Sequence, residues 1–266
     1  MAPVTRAQDQ GPAKVAGNPK VTLYWLNQSR AQRILWLMEE LQVPYELKTY
    51  KRQNMLAPPE LKEVHPLGKA PIITVTSDAT EGAKPLVIAE SGPIIEYLID
   101  HWGPQMQPTK WQNGKEGMVG GETEGYLRNR YLLHYTEGTL MPYLVTTLLM
   151  NAIQANVPFF IRPLASLITG QVKSKYTEPN LATNFAFLED LLKTSPDGGD
   201  FFCGGELAGA DIALVFPLGA SRGRAGLTEE KYPKLCKYVA MLEERDAFKR
   251  AVEKIIEIEG SYDPNL

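Results

Sequence analysis

The chain has 266 residues, 44% of them hydrophobic and 22% charged, with a formal net charge of −3. That balance supplies a normal soluble core for one large domain or two smaller ones, and it excludes a general nucleic-acid binder, which carries a basic stripe. No apolar run reaches the roughly 20 residues that a membrane-spanning helix needs; the nearest, residues 157–168, is interrupted by Arg162 and Pro163. Residues 1–20 are rich in Ala, Pro, Gly and Gln and lack the apolar core of a secretory signal. They are expected to form a flexible leader, or a strand-like arm. The two cysteines, Cys203 and Cys236, lie far apart and form no CxxC pair, which reads as reduced thiols of a cytosolic protein. His65, His101 and His134 share no ligand spacing, so no metal is expected.

Val21 to Leu26 reads as a first strand, β-branched and aromatic. Asn27-Gln28 breaks it, and Ser29 followed three places later by Gln32 has the capping-box pattern. Ala31, Ile34, Leu35, Met38 and Leu41 then recur at helical spacing. Tyr45 to Tyr50 alternates as a second strand, and residues 51–63, with Pro58-Pro59, are expected to hold a short irregular helix. Next comes the stretch around which the rest is organised. Val64 to Lys69 is a loop, Ala70-Pro71 leads into an apolar strand through Val75, and a polar hairpin-like segment follows. Leu86 to Ala89 is a strand ending in Glu90-Ser91, where Ser91 reads as a helix N-cap and Pro93 falls in the first turn. Two strands and a helix N-terminus so converge, a place where backbone groups and the helix dipole hold a small anion with peptide-like edges.

The order strand, helix, strand, loop, strand, strand, helix fits a small mixed sheet with helices packed on it. Residues 103–121, rich in Gly, Pro, Gln and Lys, read as a linker. Residues 122–262 are helical in pattern. They include an amphipathic helix over 122–150 kinked at Gly138 or Pro142, another over 180–194, a short buried helix from Asp211 to Leu218, and a closing helix from Tyr232 to Ala251 with Pro233 in its first turn.

Five segments in this order, SRAQRILWLMEEL, YKRQNMLAPPELKEVHPLGKAP, AESGPIIEYL, GADIALVFPL and YPKLCKYVAMLEERDAFKRA, carry a resemblance over about residues 21–260. The chain resembles the cytosolic glutathione transferases, most of all a fungal class typified by yeast enzymes. The resemblance implies an α/β thioredoxin-like N-terminal domain that binds glutathione, over residues 21–102. It also implies an all-α C-terminal helical bundle that supplies the second-substrate pocket, and a homodimer. Carried onto this sequence, Ala70 offers its backbone to the cysteinyl part of glutathione, Pro71 is a cis-proline, and Gly68 permits the turn. Glu90 and Ser91 hold the γ-glutamyl end, and Lys69 meets the glycyl carboxylate. Two departures stand out. Ala208 replaces the Ser or Thr that often caps the helix containing Asp211, and Lys51 and Arg52 are the only cations in the 51–57 loop.

The family reaction needs a thiolate, and a positioned donor lowers the thiol pKa. Ser29, at the start of the first helix, is one candidate, and its other reading is a plain cap. Tyr24 in the first strand is a second, otherwise a core residue; Asn27, through its side-chain amide, is a third. The second-substrate pocket is expected from Tyr131, His134, Tyr135 and Met141, facing the first helix's N-terminus. The implied activity is conjugation of glutathione, as co-substrate and with no other cofactor, to an electrophilic apolar small molecule in the cytoplasm. Glutathione-dependent reduction of hydroperoxides, and a non-catalytic binding or regulatory role, stand as alternatives.

Overall fold

A computed structural model describes residues 15–53, 55–80 and 82–263 of the chain. The first fourteen residues of the expected leader therefore lie outside the described residues. The chain divides into two compact units, Met1–Gln105 and Met106–Leu266.

The first unit holds β1 (Lys20–Leu26), α1 (Ala31–Glu40), β2 (Tyr45–Tyr50), the single turn α2 (Leu61–Val64), β3 (Ile72–Thr76), β4 (Leu86–Ala89) and α3 (Ser91–Trp102). The strands form one mixed sheet in the order β2-β1-β3-β4, with β1 parallel to β2 and antiparallel to β3, and β3 antiparallel to β4. A β-α-β crossover produces the parallel pair, and the hairpin produces the antiparallel one. Successive strand residues face opposite sides. Tyr24 and Leu26 accordingly share one face, in a cluster with Leu61 and Ile72. α1 is buried nearly all round, with Ala31, Ile34, Leu35, Trp36, Leu37 and Met38 fully covered.

The register determines where the loops gather. Leu26 pairs with Tyr50, Tyr24 with Ile72, and Ile72 with Ala89. The ends of β1, β2 and β4 and the start of β3 thus lie at one end of the sheet. That end carries residues 27–30, 51–53, 70–71 and 90–91.

Two expected caps are built differently. α1 starts at Ala31 with Arg30 in the cap position. The Gln32 N–H donates to the Ser29 main-chain carbonyl at 3.2 Å, while the Ser29 hydroxyl accepts from the Ala31 N–H at 3.2 Å. In α3 the cap residue is Glu90, with φ +73° and ψ 140°, and Ser91 is the first helical residue. The short polar side chain that usually signals a cap sits one position inside the helix.

The second unit consists of α4 (Glu124–Tyr135), α5 (Met141–Asn156), α6 (Arg162–Val172), α7 (Glu178–Lys193), α8 (Gly209–Arg224), α9 (Pro233–Glu243) and α10 (Asp246–Glu259). A π-helical turn, Thr136–Leu140, joins α4 to α5 and contains Gly138. The expected kink thus takes the form of one widened turn. A second, Lys173–Thr177, joins α6 to α7. α8 runs on past Pro217 to Arg224, beyond the expected end at Leu218, and the Pro217 carbonyl accepts from the Ser221 hydroxyl at 2.6 Å. The expected closing helix is two. Arg245, with ψ 138°, breaks the chain between α9 and α10. Among the described residues no helix is long and apolar enough to cross a membrane.

Buried carboxylates organise this unit. Asp211, fully buried in the first turn of α8, accepts from the Ala208 N–H at 2.8 Å, the Phe202 N–H at 3.2 Å and the Tyr238 hydroxyl. Ala208 has no hydroxyl, so only Asp211's half of a capping box exists, and the Asp211 N–H turns to the Ala208 carbonyl at 3.0 Å. Glu189 of α7 accepts from the N–H groups of Lys234 at 3.2 Å and Leu235 at 2.7 Å, at the start of α9, where orphan donors gather.

Arg128 of α4 reaches the last turn of α7, donating to the carbonyls of Leu191 at 2.8 Å and Thr194 at 2.7 Å. Its side chain is only 11% exposed. Arg128→Ala strips those carbonyls of a cationic donor and is expected to cost about 1–3 kcal/mol, read as a lower guanidinium midpoint with unchanged slope. A midpoint equal to wild type would show that water replaces the guanidinium at no cost.

Candidate active site

The end of the sheet described above collects most of the residues that the sequence singled out in the first unit. The Ala70–Pro71 peptide bond is cis, and it lies just ahead of the first β3 ladder residue, Ile72. Ala70 is half-buried against the cluster of Tyr24, Leu26, Leu61 and Ile72. Gly68 supplies a φ of +56°, which an L side chain rarely adopts, and its N–H donates to the His65 carbonyl at 2.8 Å to close the turn. Lys69, next to it, is exposed.

Across β3, β4 delivers Glu90 and Ser91. Glu90 is exposed, and its φ of +73° is uncommon for a residue with a side chain. Such a conformation costs on the order of 1–3 kcal/mol and persists where surrounding structure enforces it, often at ligand sites. Ser91 is 3% exposed, and its hydroxyl has no hydrogen-bond partner among the described residues. A buried hydroxyl without a partner is itself destabilising. It lies at the positive end of α3, which has three full turns.

The three candidate donors to a thiol are placed differently. The Ser29 hydroxyl is buried and donates to the Leu26 carbonyl at 2.7 Å while accepting from the Ala31 N–H. Its one proton is therefore engaged in the β1–α1 connection. Tyr24 is 7% exposed, stacks on Tyr50 at 6.3 Å between ring centroids and has its hydroxyl 3.5 Å from Thr74 Oγ1. Asn27, half-buried, accepts on Oδ1 from the Arg52 N–H at 2.7 Å.

Arg52 is a feature whose role the sequence did not reveal. Its guanidinium donates to three main-chain carbonyls: Asn27 at 3.2 Å, Met55 at 3.1 Å and Gln28 at 3.1 Å. Burial, then the nearby Arg30 charge, lowers its pKa from the ordinary arginine value. The cation of the 51–57 loop so grips the β1–α1 loop. Only its adjacency to Asn27-Gln28 across the parallel β1–β2 pair signals this, and that needs the register.

The four residues expected around the second substrate do not assemble as one wall. Tyr131 is half exposed and stacks on Tyr135 at 5.6 Å, with Phe187 edge-on to Tyr131 at 5.9 Å. Tyr135 is buried, donates its hydroxyl proton to Asn184 Oδ1, and burial pushes its pKa up. Met141 is buried in the helical core, and His134 is exposed. Among the described residues no group of three or more His, Cys, Asp or Glu side chains is placed to hold a metal ion.

A sheet of this topology followed by an all-helical unit is the thioredoxin-like plus helical-bundle architecture of glutathione transferases. The glutathione S-transferase N-terminal domain model matches residues 29–101, and the C-terminal domain model matches residues 148–246. The chain is 31% identical to glutathione S-transferase 1 of Saccharomyces cerevisiae over 89% of its length and 95% of the relative's. It is 29% identical to glutathione S-transferase 3 of Schizosaccharomyces pombe over 88% of each chain. A glutathione transferase of Phanerochaete chrysosporium, solved with oxidized glutathione, shares the fold at TM-score 0.65 and 16% identity, over 94% of this chain and 100% of that one. The chain belongs to the glutathione S-transferase family. Within it, the chain is of the fungal type.

Proposed function

We propose that the chain binds glutathione at this end of the sheet and joins its sulfur to small apolar electrophiles. The observation that carries this reading is the buried, unpartnered Ser91 hydroxyl beside the exposed Glu90 carboxylate. A γ-glutamyl group brings what each lacks: a carboxylate to accept from the Ser91 hydroxyl and from the N–H groups at the α3 N-terminus, and an ammonium to meet Glu90. The Ala70 backbone, just ahead of β3 at the same end of the sheet, is assigned to the cysteinyl residue, and exposed Lys69 to the glycyl carboxylate. That a glutathione transferase of this fold was solved with oxidized glutathione supports the assignment.

In the reaction the bound thiol gives its proton to water. The thiolate attacks the electrophilic carbon, a C–S bond forms, and the leaving group departs with its bonding pair. Thiolate stabilisation and the proximity of two bound reactants supply the acceleration. Within the second unit, Tyr131 and Phe187 present a partly exposed aromatic face, against which Tyr135 packs. Cys203 and Cys236, both free thiols, suit a cytosolic setting.

Retention on immobilised glutathione, combined with conjugation of a generic aryl halide, tests this reading. Binding and turnover together are expected. Binding with turnover only on an organic hydroperoxide would make the protein a peroxidase at the same site, binding with no turnover at all a glutathione-sensing module, and failure to bind would remove the proposal.

A further inference from the structure

Glutathione chemistry needs one hydrogen-bond donor at the sulfur, and the family pattern leaves its identity open in this chain. Of the three candidates, one is engaged elsewhere and one is buried. The Ser29 proton is held by the Leu26 carbonyl at 2.7 Å. The Tyr24 hydroxyl lies within a buried cluster near Thr74.

Asn27 differs from both. The Arg52 N–H can only donate, so the Asn27 side-chain atom 2.7 Å from it must be the carbonyl oxygen. The opposite flip would set two donors face to face. With the oxygen so occupied, the NH2 group is the free end of the amide, and no hydrogen bond to it is made among the described residues. The backbone around it is fixed as well. The Asn27 N–H donates to the Tyr50 carbonyl at 3.3 Å, and its carbonyl accepts from Arg52 Nε at 3.2 Å. The amide is thus a pre-oriented, half-buried donor one residue past β1. It stands at the same end of the sheet as Ala70 and Ser91.

We propose that Asn27, through its Nδ2–H, is the donor that stabilises the glutathione thiolate, and that Arg52 is the positioning residue that orients it. The assignment rests on the glutathione-binding reading above. No covalent step is added: the thiol loses its proton to water, and the amide N–H then donates to the sulfur anion. Ser29 shapes the loop, through its bonds to Leu26 and Ala31. Arg52, with its guanidinium on three carbonyls, does not bind the glycyl carboxylate.

The test is a pH titration of the bound thiol by its ultraviolet thiolate absorbance, on wild type and on Asn27→Ala, Asn27→Asp, Ser29→Ala and Arg52→Lys. A hydrogen bond to an ionised group corresponds to about one to two pKa units. Asn27→Ala is expected to raise the thiol pKa by that amount. Asn27→Asp, which keeps an acceptor for the Arg52 N–H but sets a carboxylate near the thiolate, is expected to raise it further. Arg52→Lys loses the fork and is expected to give a smaller rise, with kcat falling while KM for glutathione holds. Ser29→Ala is expected to lower Tm and to move the thiol pKa less than either Asn27 variant. A thiol pKa untouched in both Asn27 variants, or moved most by Ser29→Ala, overturns the assignment. Retention of wild type on immobilised glutathione separates this failure from failure of the binding reading, since only the latter abolishes retention.

Discussion

Ser91→Ala is expected to weaken glutathione binding by about 10- to 100-fold while leaving the ligand-free protein as stable as wild type, or more so. The two effects have opposite signs because the hydroxyl has opposite roles in the two states. Without ligand it is a buried polar group lacking a partner, and such a group costs about 1–3 kcal/mol. With a carboxylate in place it becomes a charge-assisted donor, worth about 1.5–3 kcal/mol. Isothermal calorimetry and guanidinium unfolding on the same preparation read both numbers. A drop in stability with unchanged affinity would make Ser91 a structural residue and separate it from the site.

The largest loss of stability is expected at Asp211→Ala. Truncation strands two backbone N–H groups and the Tyr238 hydroxyl, all in a fully buried setting. With each stranded donor costing about 1–3 kcal/mol, the sum approaches the whole stability of an ordinary domain. The variant is expected to lose most soluble expression, and any soluble fraction to unfold several kcal/mol more easily. Unfolding within about 1 kcal/mol of wild type would mean that the helix start repacks freely. The same carboxyl gives a pH signature. Desolvation pushes its pKa up to about 6 from 3.8, against the lowering effect of its hydrogen bonds, that from Tyr238 foremost. A folded-state pKa above the unfolded one means that the folded protein holds the proton more tightly. The stability this contributes is complete below about pH 4 and is lost as pH rises through about 6. Asp211→Asn, which does not titrate, is expected to flatten that part of the stability profile, measured by unfolding between those pH values.

Much of the first unit is legible without coordinates because its signals are local. A β-branched and aromatic run marks β1, alternation marks β2, the 3.6-residue spacing from Ala31 to Leu41 marks α1, and Ala70-Pro71 with Glu90-Ser91 marks the two ends that meet. Boundaries in the second unit were harder, since tertiary packing overrides local pattern there. The apolar run that begins at Asp211 ends at Leu218, yet α8 continues through Pro217 to Arg224, and the Ser221 hydroxyl donates back to the Pro217 carbonyl within it. The periodicity from Tyr232 to Ala251 runs through Arg245 unbroken in sequence, while the backbone turns out of the helix at that residue. Tyr135 and Met141 show how a stripe of large side chains at helical spacing conceals the difference between lining a pocket and filling a core. Arg52 was the least legible of all, because a cation that grips carbonyls leaves no partner side chain to be read.

The sheet register has one more consequence, for handling the protein. β3 ends at Thr76 and β4 starts at Leu86, at the end of the sheet opposite to Ala70 and Ser91. Gly82, between the two strands in sequence, has open space where a side chain would begin. A fluorophore, affinity tag or short inserted peptide placed there sits a full strand length from the chemistry, on a tip of the kind that tolerates added chain.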